Sequence, residues 1–184
     1  MANERHLAVL KEGIAGWNAW RLESLPNCPD LRKALLHQMN LEGANLHCAD
    51  LREANLCCAN LAGANLAGAN LVAADLRQAN LAGANLAGAN LLSVDLREAN
   101  LAGANLVAAN LRIAYLRGSD MQGADLRTAN LHGVDMAKVN LSGADLRGAA
   151  LTTTNLLGAN LQETKLGEGI AATGNPEGVT PQLG

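Results

Sequence analysis

Phenylalanine is absent from the 184-residue chain, and tyrosine occurs once, as Tyr115. With only two tryptophans besides, the interior has to be built from leucine and alanine, not aromatic rings. Proline is equally sparse: Pro26 and Pro29 close an N-terminal segment, and none follows until Pro176. No stretch reaches about 18 unbroken apolar residues, so no membrane span is expected. No basic segment followed by an apolar run opens the chain, so no signal peptide is expected and a cytoplasmic location is. An excess of either charge is missing too. Fourteen basic residues stand against 17 acidic ones, for a net −3, which favours neither direct nucleic-acid binding nor a strongly acidic surface. Cysteine is limited to Cys28, Cys48, Cys57 and Cys58, and in a reducing cytosol free thiols are the default expectation.

What is present is a period. From Leu41 to Leu161 every fifth residue is leucine, or methionine at Met121 and Met136, over 25 consecutive positions. The two residues before each are usually Ala then Asn or Asp, as in Ala44-Asn45-Leu46 and Ala124-Asp125-Leu126. Five fits neither a helix at 3.6 nor a plain strand at 2, so the chain has to be read as a repeat. Nineteen glycines would ordinarily suggest disorder, but the strict leucine period supplies a continuous apolar seam. Exposure of every one of those leucines is untenable, so they point inward, and alanine two residues earlier shares that side of an extended segment. Asn and Asp accept turn-type geometry and hydrogen-bond nearby amides, which suits corners. Small residues after leucine let the chain bend.

The repeat has flanks. Leu7, Leu10, Ile14 and Trp17 recur at three- and four-residue spacings, broadened by Trp20, and predict one helix over 4–21. Repeat-like spacing begins at Asp30-Leu31-Arg32 and fades after Leu166. Three regions result: an N-terminal capping helix and linker over 1–29, the repeats over 30–166, and a flexible tail over 167–184.

The Ala-(Asn/Asp)-Leu-X-X unit resembles that of the bacterial pentapeptide-repeat proteins, over about residues 30–166. Gly16-Trp17-Asn18-Ala19-Trp20-Arg21 is similar to the capping helix of some members. The resemblance implies an all-β fold: a right-handed quadrilateral parallel β-helix with one pentad per side, four pentads per coil and a short α-helical cap. Residues 20 apart then stack about 4.8 Å apart. The stack has two open ends. The helix, with Trp17 over the first leucine layer, is expected to cover one. Leu161, Leu166 and Ile170 at the other are covered by the tail or by a second copy, which would make a homodimer through the C-terminal end.

On the outer surface, six of the eight aspartates are followed by Leu-Arg: Asp30-Arg32, Asp50-Arg52, Asp75-Arg77, Asp95-Arg97, Asp125-Arg127 and Asp145-Arg147. Residues two apart in an extended segment share a side, so each pair is expected to neutralise itself. Some pentapeptide-repeat proteins resemble double-stranded DNA and protect type II topoisomerases from quinolones, an activity that needs a strongly acidic face. The pairing weakens that reading here.

Arg77, Arg97 and Arg117 stack 20 apart as a candidate anion column, although surface ion pairs with Asp75 and Asp95 are the preferred account of the first two. Tyr115 stands where the aspartate for Arg117 would be, and Arg112 also lacks one. Arg112, Ile113, Tyr115 and Arg117 thus make the most irregular rung and the candidate protein-interaction surface, because Tyr and Arg are favoured at interface hot spots. The alternating Ala-Gly pairs at 62–63, 82–83 and 102–103 form a flat plate that tight coil packing explains. The column layout separates Cys48 from Cys57 and Cys58, so the four cysteines cannot form one metal site. His37 below Cys57, and Cys28 beside His47, lack strong metal-motif spacing. No metal or cofactor is expected. No histidine has an evident nucleophile nearby, and the glycine runs are repeat units, not phosphate loops. The expectation is a non-enzymatic scaffold or protein-interaction module without direct nucleic-acid or membrane binding, the alternative being a DNA-mimicking topoisomerase modulator.

Overall fold

In the computed structural model, which describes residues 1–23 and 28–167, every pentad takes the same local shape. Leucine opens a β-turn whose fourth residue donates its N–H back to the leucine carbonyl, as Ala64 does to Leu61 at 3.0 Å. The second residue after leucine is left-handed in all 27 pentads from Lys33 to Glu163, with φ between 49° and 74°. Positive φ at the third residue of a turn is the conformation glycine adopts without steric cost, which explains why Gly recurs there. The Asn or Asp does not itself occupy the corner, contrary to the turn-type geometry expected of it. It is the residue that pairs with the next coil, and its side-chain oxygen accepts the N–H at the corner, as Asn60 Oδ1 does from Ala62 at 3.2 Å. A short polar side chain is needed because it must reach over its own leucine to that N–H.

Parallel pairing joins residues 20 apart from Asp30–Asp50 to Asn140–Asn160. It lengthens into two-residue strands only at β1 (Asp145–Leu146) and β2 (Lys165–Leu166). Three backbone hydrogen bonds per pentad tie each coil to the next: Leu61 to Asn80, Gly63 to Ala82, and Asn80 back to Ala59, at 2.7, 2.9 and 2.9 Å. The fold is therefore a four-sided, right-handed parallel β-helix. All 25 leucine or methionine positions from Leu31 to Leu151 are buried, as are most alanines two residues before them. Each buried leucine contributes about 1.5–3 kcal/mol before the cost of chain ordering.

The N-terminal segment is two helices, not the single helix predicted. α1 (Glu4–Glu12) is capped by Asn3, whose Oδ1 accepts from the N–H groups of Arg5 and His6 at 3.0 and 3.2 Å. Gly13, at φ 134°, breaks the chain, and α2 (Ile14–Glu23) follows. The apolar spacing continues from Leu10 to Ile14 across that break, so periodicity cannot reveal it.

Trp17 is fully buried over the first leucine layer, and its indole N–H donates to the carbonyl of Asn45 at 2.9 Å. Asn18 imitates a missing coil: its Oδ1 accepts from the N–H of Asn45 at 2.8 Å, and its Nδ2 donates to the carbonyl of Gly43 at 3.1 Å. Arg21 is also fully buried, donating to the carbonyl of His47 at 3.0 Å. His6 Nδ1 accepts from the N–H of Asp30 at 3.0 Å.

At the other end Leu156, Leu161 and Leu166 are only partly buried. Ile170 and the predicted tail lie outside the described residues, as do Pro26 and most of the linker before Asp30.

Cys28 and Cys48, one coil apart with Cα atoms 5.2 Å apart, form a disulfide. The expectation of four free thiols is corrected to two, Cys57 and Cys58. The register that stacks residues 20 apart makes this pairing geometrically possible, and only the assumption of a reducing cytosol argued against it.

Candidate protein-interaction surface

Residue choice before each leucine sets the outer chemistry. Where Asn stands there, amides form ladders along the rod: Asn60 Nδ2 donates to Asn40 at 2.9 Å, Asn80 to Asn60 at 3.1 Å and Asn100 to Asn80 at 3.2 Å. Aspartate has no amide donor: Asp120 and Asp135 only accept, from Asn140 and Asn155 at 2.9 Å each, and the other six are paired with arginine. All six Asp-Leu-Arg arginines bind their own aspartate through Nε and Nη2. For Arg97 and Asp95 the two distances are 2.8 and 2.6 Å, and for Arg52 and Asp50 the same. The hydrogen bond from Arg32 is the main reason the Asp30 carboxyl is pulled down to about 2, and Arg147 does the same to Asp145. Burial opposes the shift in both.

Of the candidate anion column, Arg77 and Arg97 are consumed in this way, and Arg77 reaches across to Asp95 as well, at 3.8 Å. The geometry favours ion pairs over an anion site there. Arg117 forms no ion pair among the described residues, and neither does Arg112.

In the rung 111–117, Arg112, Ile113, Tyr115 and Arg117 are all exposed, and Tyr115 is so in the position before leucine, which is half-buried in most coils. Tyr115 is 52% exposed although it sits in the pairing column between Asp95 and Asp135. Ile113 is 49% exposed and occupies the left-handed turn position at φ 49°, a conformation unfavourable for a β-branched residue. Gly133 in the next coil leaves room for it, since a Cβ there would lie 3.2 Å from Ile113 Cγ2. Two hydrophobic side chains flanked by two unneutralised guanidinium groups are thus held on a rigid frame. Such a rung can contact carboxylates and apolar groups at once.

Elsewhere the surface is shallow. One cavity of about 310 Å³ lies over Gln122, Gly123, Ser142, Gly143, Gln162 and Glu163. Another, of about 270 Å³, is lined by Cys57, Arg77, Gln78, Arg97 and Glu98. No group of three His, Cys, Asp or Glu side chains that could hold a metal ion occurs among the described residues, so His37 does not complete a cluster with Cys57 and Cys58. No helix among them is long and apolar enough to cross a membrane. Sequence reasoning missed two buried polar residues: Arg21, and Ser119, whose Oγ has no hydrogen-bond partner among the described residues. Ser119 was legible in principle, as a hydroxyl in the inward alanine column.

Coils of 20 residues, inward leucine, and an outer surface written by the residues around it define a solenoid of five-residue units. The chain belongs to the family of pentapeptide repeats, whose profile matches eight copies over residues 30–56, 59–97, 95–133, 109–148 and 135–168. Among solved structures it is similar to HetL from the cyanobacterium Nostoc sp. strain PCC 7120, described as involved in heterocyst differentiation regulation. The two are 37% identical over 72% of this chain and 71% of that one, with a TM-score of 0.46. It is also similar to Rfr23 from the cyanobacterium Cyanothece 51142, at 41% identity over 50% and 63% of the two chains and a TM-score of 0.49. QnrB1, a plasmid-mediated fluoroquinolone resistance protein, is 17% identical over 73% and 90%, with a TM-score of 0.45. No curated protein matches the chain.

Proposed function

We propose that the protein is a non-enzymatic interaction module that binds a protein partner through Arg112, Ile113, Tyr115 and Arg117. The observation that carries this reading is the contrast in charge pairing. Every Asp-Leu-Arg arginine is held by its own aspartate, while the two arginines of this rung form no ion pair among the described residues and flank exposed Ile113 and Tyr115. The complementary partner carries carboxylates around an apolar contact, since Tyr and Arg gain most where both are desolvated together. Shallow cavities and the lack of a three-residue ligand cluster among the described residues support the non-enzymatic part. A DNA-mimicking role would need free carboxylates, and six of the eight aspartates are paired with arginine.

The test is capture of partners from native lysate by the wild type and by an Arg112→Ala/Tyr115→Ala/Arg117→Ala variant. The exposed positions predict a stability change within about 0.5 kcal/mol per site. The variant is expected to fold and to lose a subset of partners. Identical partner sets would sink the rung.

A further inference from the structure

Cys57 and Cys58 are adjacent in sequence and occupy the two central positions of one solenoid turn, with their Sγ atoms 3.5 Å apart. We propose that this pair is a pre-organised dithiol site for trivalent arsenic compounds.

The turn holds both side chains in place before any ligand arrives. Its backbone is fixed on three sides: Cys57 N–H donates to Asn55 Oδ1 at 3.1 Å, Cys58 N–H to the carbonyl of Arg77 at 2.9 Å, and Ala59 N–H to the carbonyl of Leu56 at 3.0 Å. Cys58 is left-handed at φ 58°, as the residue at this place is in every pentad. Cys58 Sγ also lies 3.4 Å from Gln78 Oε1 in the next coil. A chelating ligand therefore meets two sulfurs already side by side, and little ordering is needed on binding.

The ligand class follows from what the site offers and what it lacks. Two soft sulfurs select a thiophilic centre. Zinc in a structural site takes four protein ligands, and no third His, Cys, Asp or Glu joins this pair among the described residues. The bound centre must therefore carry its remaining substituent itself. A linear two-coordinate ion such as Hg(II) would force the sulfurs to opposite sides of the metal. A pyramidal trivalent arsenic, with bonds near right angles, keeps them close together, as they are here. The pair is accessible, Cys58 being exposed and Cys57 half-buried. The shallow cavity lined by Cys57, Arg77, Gln78, Arg97 and Glu98 has room for the third substituent, with hydrogen-bonding groups around it. Burial pushes the Cys57 thiol up, and its hydrogen bond with Cys58 adds to this. With R–As(OH)2, two S–H and two As–O bonds break, two S–As bonds form and two waters leave. Arsenic stays trivalent and nothing is oxidised.

The test uses the full chain without added reductant, its two free thiols confirmed by titration, and phenylarsine oxide as the probe. Intact-mass spectrometry is expected to show one phenylarsenic per chain, retained against a large excess of glutathione and released by dithiothreitol. Cys57→Ser and Cys58→Ser are each expected to lose the glutathione-resistant adduct. Cys28→Ser/Cys48→Ser is expected to keep it, which separates this pair from the disulfide. Both single substitutions fall on outward turn positions, and circular dichroism verifies the fold of each. No adduct on the wild type, an adduct displaced by glutathione, or one that survives either single substitution overturns the proposal.

Discussion

The N-terminal end and the rung 111–117 both depart from the repeat, and they depart in opposite directions. At the end, the unusual residues turn inward. Trp17 and Arg21 are fully buried, and Trp17, Asn18 and Arg21 all bond to backbone groups of residues 43–47. At the rung, the unusual residues turn outward, and Arg112, Ile113, Tyr115 and Arg117 are exposed. A solenoid end must hide leucine and satisfy an open row of backbone groups, so departure there repairs the fold. A mid-rod departure repairs nothing, because the coils above and below already do that. Its side chains are available for recognition.

The comparison breaks most visibly at Trp17. Replacing it with alanine removes the largest fully buried side chain and the hydrogen bond to Asn45. The expected cost is about 3–5 kcal/mol, read as a fall in thermal or urea midpoint. The Arg112→Ala/Tyr115→Ala/Arg117→Ala variant should barely move by the same measurement. Comparable losses at both places would mean that the rung is also structural.

Ser119 sharpens the contrast from a third place. It is 1% exposed in the alanine column, and its hydroxyl finds no partner among the described residues. An unsatisfied buried hydroxyl costs about 1–3 kcal/mol. Ser119→Ala keeps the backbone and removes that cost, so it should raise stability by about 1 kcal/mol. A lower unfolding midpoint would show that the hydroxyl is satisfied in solution.

Ile113 tests whether the rung is held at some cost to the fold. A left-handed conformation costs an L-residue about 1–2 kcal/mol, of which glycine's extra chain entropy returns about 0.5–1 kcal/mol. Ile113→Gly, matching the glycine at position 133, should therefore stabilise the rod by about 0.5 kcal/mol while weakening partner capture. Gain of stability with capture unchanged would remove Ile113 from the surface.

The two departures also show what could be read in the residues beforehand. Periodicity identified the inward leucines, the six Asp–Arg pairs and the odd rung, while the 20-residue register that sorts residues into columns came from the family resemblance. Periodicity failed where the backbone leaves the repeat. Helical spacing runs unbroken through Gly13, although the helices do not. Arg21 is an arginine, a residue type rarely buried unless paired, and nothing in its neighbours shows that it would reach a carbonyl 26 positions away. The Cys28–Cys48 contact was visible in the columns, but the chemistry expected of the compartment obscured it.

The smallest effect concerns charge, and it again separates paired from unpaired groups. Asp30 lies in the first coil and Asp145 in β1 near the other end. Both are held at about 2, first by the hydrogen bond from the neighbouring arginine. An unfolded carboxyl titrates near 3.9, so the folded state binds fewer protons between these values. The stability contributed by each pair is complete above about pH 4 and is lost as pH falls toward 2. The wild-type unfolding midpoint should therefore drop across that window, and Asp30→Asn/Asp145→Asn should drop less steeply. Arg112 and Arg117 have no carboxylate partner to lose among the described residues, so Arg112→Ala/Arg117→Ala should leave the wild-type slope intact. Parallel curves for the wild type and the aspartate variant would mean that solvent screens these pairs completely, and that pairing governs which arginines are free to bind without adding to the stability of the rod.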